Sequence, residues 1–423
     1  MAVLGWNWPK PVWLLLLATG LRHVALGAVA VVLGLHLRAL GFGSVAVGAV
    51  FTAMLAGGAV SSALFGLLAD RLGRRRLLLV ATLALVGASL VFALSSLPAL
   101  LLAAAILGAI GPTGYDTGPA LSLEQAALAE ATRVEQRTGV LAAHTLVAML
   151  GSGVGALASS IPESLDMAGT DAYRAVFLGA ATTGLLLLAV LSRLPATVEP
   201  ALRSGAGRSL LGLRQSRRLV LTLSALFAVD AFAGGLAVQG AVAYWFAAKF
   251  DASTASLGMI FSLAQFLMAG SLLLAAPLTR RFGPVHTMVF THLPANALLT
   301  LVPLMPSFEL AAALFVARHL TATLDVPPRQ ALLLSLVEPD ERAAAAGLTA
   351  AMRTAGSAIA PAAAGLVWSN PASGLPLLAA GLLKSAYDLA LFALLRGARL
   401  PAGQQATPAA ESPGTLVPGD GRE

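Results

Sequence analysis

The stretch Gly66-Leu-Leu-Ala-Asp70-Arg71-Leu-Gly73-Arg74-Arg75-Arg76 sets one acid and four arginines between two long apolar runs. The run before it, Val45 to Leu68, and the run after it, Leu77 to Leu97, are each long enough to cross a bilayer as a helix. A short loop with this much positive charge stays on the cytoplasmic side. Gly73 permits a tight turn between antiparallel helices, and Asp70 is placed to cap a helix or pair with an arginine.

Composition extends that local reading to the whole chain. Its 423 residues are 57% hydrophobic and only 11% charged, with a mean hydropathy of +0.83. A chain of this balance has the bilayer as its solvent. The net charge of +7 does not point to nucleic acid, because the basic residues lie in loops beside apolar runs. Topology and anionic lipid headgroups account for them. With no cysteine, disulfides and thiolate metal sites are excluded.

The apolar runs read as twelve helices, over roughly 12–36, 45–68, 77–97, 98–122, 138–161, 173–193, 219–247, 254–276, 286–306, 309–336, 343–368 and 374–395. The first could imitate a signal peptide, but Arg22 and His23 interrupt it and it is long, so a retained helix is expected. Most of the 27 lysines and arginines fall on the side of Arg71–Arg76, which puts both termini in the cytoplasm of a plasma or inner membrane. The expected division is a helical bundle over 1–194, a polar linker over 195–218, a second bundle over 219–396 and a disordered tail over 397–423. The halves are weak repeats. Arg71-Leu-Gly73 returns as Arg281-Phe-Gly283, 210 positions later, and Asp116 returns as Asp325. Arg137-Thr-Gly139 is echoed by Arg342 to Gly347, whereas Asp70 is replaced by Arg280.

Ionisable residues at bilayer depth are costly and are candidate functional sites. Five lie near mid-depth: Arg22, Asp230, Arg318, Arg353 and Lys384. An arginine there needs an anion, supplied by a carboxylate or a solute. Aspartate can instead discard its charge by taking a proton, so Asp230 is the candidate coupling residue; the competing reading makes it the permanent partner of an arginine. Arg22 and Arg318 together favour an anionic or carbonyl-rich solute, or else balance buried acids. Lys384 and Asp388, four apart, are expected to pair with each other. Asp325 and Arg329 have the same spacing, with Pro327-Pro328 distorting the helix between them. His23, His144, His292 and His319 are scattered over four spans without metal-ligand spacing, and Gln239 and Gln265 are polar candidates for the solute path. No phosphate-binding loop, H-E-x-x-H or G-x-S-x-G motif occurs, so neither an ATP-driven pump nor a known enzyme class is indicated, and no cofactor is implied.

The pattern G-x-L-A-D-R-x-G-R-R at Gly66–Arg75 resembles the loop between helices 2 and 3 of major facilitator superfamily (MFS) transporters. Arg22, Asp116-Thr-Gly-Pro119 with Glu124, Asp325-Val-Pro-Pro-Arg329-Gln330 and Lys384-Ser-Ala-Tyr387-Asp388 together resemble a little-characterised bacterial and fungal branch. The resemblance implies an all-α membrane protein, with twelve transmembrane helices in two pseudo-symmetric six-helix bundles facing a central cavity. It sets spans 1, 4, 7 and 10 around the cavity, so Arg22, Asp230 and Arg318 reach it, with Arg353 beside it. It implies secondary active transport of a small organic solute, anionic or amphipathic, by alternating access with protons as the coupling ion. The protein would be a monomer in lipid. Alternatives are proton-antiport multidrug efflux and a receptor or scaffold without transport. Asp70, Arg71, Gly73 and Arg74 would form a cytoplasmic clasp in which Arg74 meets Asp116 or Glu124, and Asp325 with Arg329 would belong to an inner gate. Span 11, Gly347-x8-Gly356-x3-Ala360-Pro361-x2-Ala364-Gly365, looks like the glycine–proline motif that antiporters of the family carry in span 5. Close helix packing is its simpler reading.

Overall fold

The computed structural model describes residues 8–115, 118–195, 215–338, 341–368 and 370–395. Asp116, most of the 195–218 linker and the 397–423 tail lie outside these residues, as does the side chain of Asp70. The described chain is helical, with no strand among its residues. The first half contains α1 (Lys10–Ala39), α2 (Ser44–Leu72), α3 (Arg74–Leu94), α4 (Pro98–Ile106), α5 (Pro119–Glu130), α6 (Arg137–Ala158), the short α7 (Ile161–Ser164) and α8 (Gly169–Leu191). The second contains α9 (Arg217–Leu236), α10 (Gln239–Phe250), α11 (Thr254–Phe282), α12 (Pro284–Leu301), α13 (Phe308–Arg318), α14 (Val326–Leu336), α15 (Arg342–Val367) and α16 (Leu375–Leu395).

Nine helical stretches of the described residues are long and apolar enough to cross a membrane. Large apolar side chains such as Leu67, Leu94 and Leu273 stand exposed on them, where lipid would cover them. The order follows the twelve predicted runs, but spans 4, 7 and 10 are each broken into two helices. Span 4 breaks after Ile106, and beyond it Gly108 and Gly114 adopt φ of +62° and +71°, values open to glycine at no steric cost. In span 10 the expected distortion between Asp325 and Arg329 is absent. Pro327 lies in the first turn of α14, where a missing N–H is harmless, and the break falls just before it. The turns Gly73 (φ +85°) and Gly283 (φ +78°) join α2 to α3 and α11 to α12 in the same way, as the repeated R-x-G triplets predict.

Within the halves, α1 packs on α6 and α8, and α9 packs on α15 and α16. Between the halves, α2 meets α15, α6 meets α11 and α1 meets α10. These junctions concentrate at mid-depth and at the end of the bundle remote from Arg71–Arg76. There, Ser44 Oγ donates to Trp368 O at 2.7 Å. The Ala362 N–H, one residue past Pro361, donates to Thr52 Oγ1 at 3.0 Å, and the Ala255 N–H at the start of α11 donates to Glu163 Oε2 at 2.9 Å. The glycines of span 11 permit the close approach: a Cβ on Gly365 would sit 2.7 Å from Ser44 O. Gly365→Val is therefore expected to force this end apart. A single cysteine at the buried Val47 would report it, since the parent chain has none. Labelling by a membrane-impermeant maleimide should be faster in Gly365→Val than in the parent; equal rates would show that the seal does not depend on this contact.

Candidate functional site

Among the described residues, each half holds a buried cluster of charge at bilayer depth. In the second half the centre is Asp230 on α9, with its side chain 4% exposed. Lys384 Nζ of α16 donates to Asp230 Oδ1 at 2.6 Å. Arg353 Nη1 of α15 and Arg329 Nη1 of α14 donate to Asp230 Oδ2 at 3.0 and 3.3 Å, and Arg329 also holds Asp325 Oδ2 at 3.0 Å. Buried charges persist only when they are paired and hydrogen-bonded, and one carboxylate here ties together α9, α14, α15 and α16. Arg353 is the accessible member, with 32% of its side chain exposed against 10% for Arg329 and 12% for Lys384.

In the first half the centre is Glu124 on α5, 1% exposed. Its Oε1 accepts from Arg22 Nε and Nη2 of α1 at 3.3 and 3.2 Å. Its Oε2 accepts from Thr19 Oγ1 at 2.9 Å and lies 3.2 Å from His144 Nε2 of α6. The two centres use corresponding helices with opposite polarity. In the first half the cation is on α1 and the acid on α5; in the second the acid is on α9 and the cation on α14.

Several sequence expectations change here. Lys384 and Asp388 do not pair with each other: Lys384 turns to Asp230, while Asp388 Oδ1 lies 2.9 Å from His292 Nδ1 and its Oδ2 accepts from Asn296 Nδ2 at 2.8 Å. Arg22 already has a carboxylate, so it does not join Arg318 in offering an unmatched cation. Glu124 is engaged by Arg22 and His144, so it is not the partner of Arg74. Arg74 donates to Ala126 O at 3.1 Å and lies 3.8 Å from Glu130; Asp116, the other acid expected to meet it, lies outside the described residues. Arg71 is exposed. The Asp325–Arg329 pair forms, but inside the Asp230 cluster.

Arg318 ends α13, next to the break in span 10. Its Nη1 lies 3.4 Å from His319 Nε2, and its guanidinium sits 5.8 Å from the Phe315 ring centre. Its Nε is buried without a hydrogen-bond partner, and among the described residues no carboxylate comes within ion-pair range. Gln239 and Gln265 both bridge the halves. Gln239 Nε2 donates to Gly27 O at 3.4 Å, and Gln265 Nε2 donates to Ser152 Oγ at 3.1 Å. Sequence reasoning did not single out Tyr115, whose hydroxyl donates to Gln265 Oε1, nor Ser152 or Asn296. Neutral side chains inside apolar runs carry no periodic signal. In span 11, Gly356 packs on the backbone of α9 and Gly365 on that of α2, so its small residues serve helix contact.

The Major Facilitator Superfamily model matches residues 15–244. The chain belongs to the major facilitator superfamily. It is a multi-pass membrane protein and a transporter rather than an enzyme. An uncharacterised membrane protein of Saccharomyces cerevisiae, YJR124C, is 27% identical over 412 residues, covering 89% of this chain and 92% of the yeast protein. Among solved structures, the nucleoside transporter NupG superposes with a TM-score of 0.72 at 16% identity, covering 91% of this chain and 99% of that one. The xylose transporter XylE from E. coli, in a partially occluded inward-open conformation, gives 0.69 at 16% identity, with 93% and 100% covered. The human organic anion transporter MFSD10 gives 0.59 at 18% identity, with 90% and 100% covered. At these identities the likeness is one of fold.

Proposed function

We propose that this MFS protein is a secondary active transporter of small organic anions, coupled to protons and working by alternating access across the plasma or inner membrane. Arg318 carries the reading. A guanidinium at this depth keeps its charge and needs an anion, and no carboxylate of the described residues supplies one. The membrane-depth residues described in the second half include four basic side chains (Arg318, Arg329, Arg353 and Lys384) and three acids (Asp230, Asp325 and Asp388). A solute carboxylate or phosphate would supply the anion that Arg318 needs, and a planar guanidinium suits either. That MFSD10, of the same fold, transports organic anions is consistent with this. With the basic end in the cytoplasm, the sealed end faces outward and the present conformation is the inward-facing one.

Asp230 links the anion to the proton. Its carboxylate and an incoming anion compete for Arg353 and Lys384. A proton on Asp230 releases Arg353 and Lys384 to the solute's anionic group. The protein acts as a monomer, with its basic loops against anionic lipid headgroups.

The test uses purified protein in proteoliposomes, after a thermal-shift screen of organic acids at two pH values has chosen the substrate. Arg318→Gln is expected to raise the apparent KM at least roughly tenfold, the scale of one lost charged contact. Arg318→Lys keeps the charge but loses the fork, and should fall between. An unchanged KM in Arg318→Gln would overturn the anion reading.

A further inference from the structure

Five neutral polar side chains gather where the two halves touch at mid-depth, between the sealed end and the basic end. The break in span 4 delivers Tyr115 from the first half. Its hydroxyl donates to Gln265 Oε1 on α11, and Met268 Sδ lies 3.9 Å away. Gln265 Nε2 returns to the first half at Ser152 Oγ, 3.1 Å. Gln239, the first residue of α10, reaches Gly27 O on α1, and the next amide, Gly240 N–H, donates to Pro112 O in the span-4 break at 2.8 Å. Thr113 Oγ1 holds the turn by donating to Tyr115 O at 2.9 Å. Gly114 is required there, since its φ is +71° and a Cβ would run into the Gln239 amide.

This bridge has a consequence for the solute. Ser152 is fully buried and Gln265 nearly so. When the halves part on the outer side, the hydroxyl of Tyr115 and both side-chain amides lose partners across the gap. Buried polar atoms left unmatched are costly. A ligand shifts a conformational equilibrium only through contacts that differ between the states. A solute supplying the missing donors and acceptors would couple its own loading to the opening of the bridge; a bare hydrocarbon acid would not.

Building on the anion reading above, we infer that Tyr115, Gln265 and Gln239 bind uncharged hydroxyl or amide groups of the solute. The substrates are then small organic anions that also carry neutral hydrogen-bonding groups. The charged end answers Arg318 and the Asp230 cluster, and the neutral groups replace the bridge.

Matched ligands separate the two parts of the site. Thermal-shift titrations of the purified full chain would compare malate with succinate and gluconate with hexanoate, with uncharged xylitol alongside. The parent is expected to prefer the hydroxylated acid of a pair by roughly tenfold, about one hydrogen bond's worth. Tyr115→Phe and Gln265→Leu should bring that preference close to one. Arg318→Gln should weaken both members of a pair equally. If Tyr115→Phe does not fold, Gln265→Leu and Ser152→Ala carry the same comparison. Stabilisation by xylitol as strong as by gluconate, abolished in the bridge variants, would support the bridge and sink the anion reading. A preference unchanged in the bridge variants, or no stabilisation by any hydroxylated ligand, would overturn the inference.

Discussion

Asp230→Asn should lose uphill, pH-driven accumulation of solute while retaining exchange of solute down its gradient. Asparagine has nearly the shape of aspartate and still accepts a hydrogen bond at its carbonyl, but it neither takes nor releases a proton in the physiological range. In the proposed cycle the proton on Asp230 is what lets an anion take over Arg353 and Lys384. With a permanently neutral residue those two cations are always available, so solute still binds and exchanges, but the pH gradient no longer enters the cycle. The substitution also takes the charge from the centre of a buried cluster, where breaking one partner costs about 3–5 kcal/mol. Asp325 remains 3.0 Å from Arg329 to offset part of this. The comparison therefore needs folded protein of equal amount, checked by thermal unfolding. Proteoliposomes loaded with labelled solute would then report exchange and pH-driven uptake separately. If Asp230→Asn still concentrates solute against its gradient, the proton travels by another residue.

Glu124→Ala should be the most destabilising single substitution in the first half. Glu124 receives Thr19, Arg22 and His144 at once, and all of these groups are buried. Removing the acid leaves a permanent cation and a desolvated imidazole without it, a loss of about 3–5 kcal/mol. Replacing both charged partners by apolar residues of similar volume is often neutral or better. Arg22→Met with Glu124→Leu should therefore recover much of the stability, and the double-mutant cycle should show strong coupling. The measurement is thermal unfolding in detergent. Losses that simply add would show that Arg22 and Glu124 do not depend on each other. The double variant also compares the two halves: transport that survives it would mark this cluster as structural and assign the solute to the second half.

Much of the architecture could be read along the chain because it depends on local properties. Apolar length, the R-x-G turns at Gly73 and Gly283 and the concentration of arginine on one side are each decided within some twenty residues. Asp325 and Arg329 read as an inner gate, whereas Asp230, Arg353 and Lys384 were visible as costly charges at bilayer depth. Their partners were not. Lys384 and Asp388 share a helix face at i,i+4, and nothing local says that a stronger claim on each comes from another helix. In a low dielectric, the closest well-aligned opposite charge prevails whatever its distance in sequence. For Lys384 that is Asp230, 154 positions away. Arg22 and Arg318 looked alike as isolated arginines within apolar spans. Packing separated them, because α5 brings Glu124 against Arg22 while the described elements around Arg318 bring only rings. The sequence by itself determined that this chain spans a membrane as helices and which residues bear the cost of burial. Only the tertiary structure decided which of those charges cancel and which is left to attract a solute, because cancellation depends on distances between helices that hydropathy does not encode.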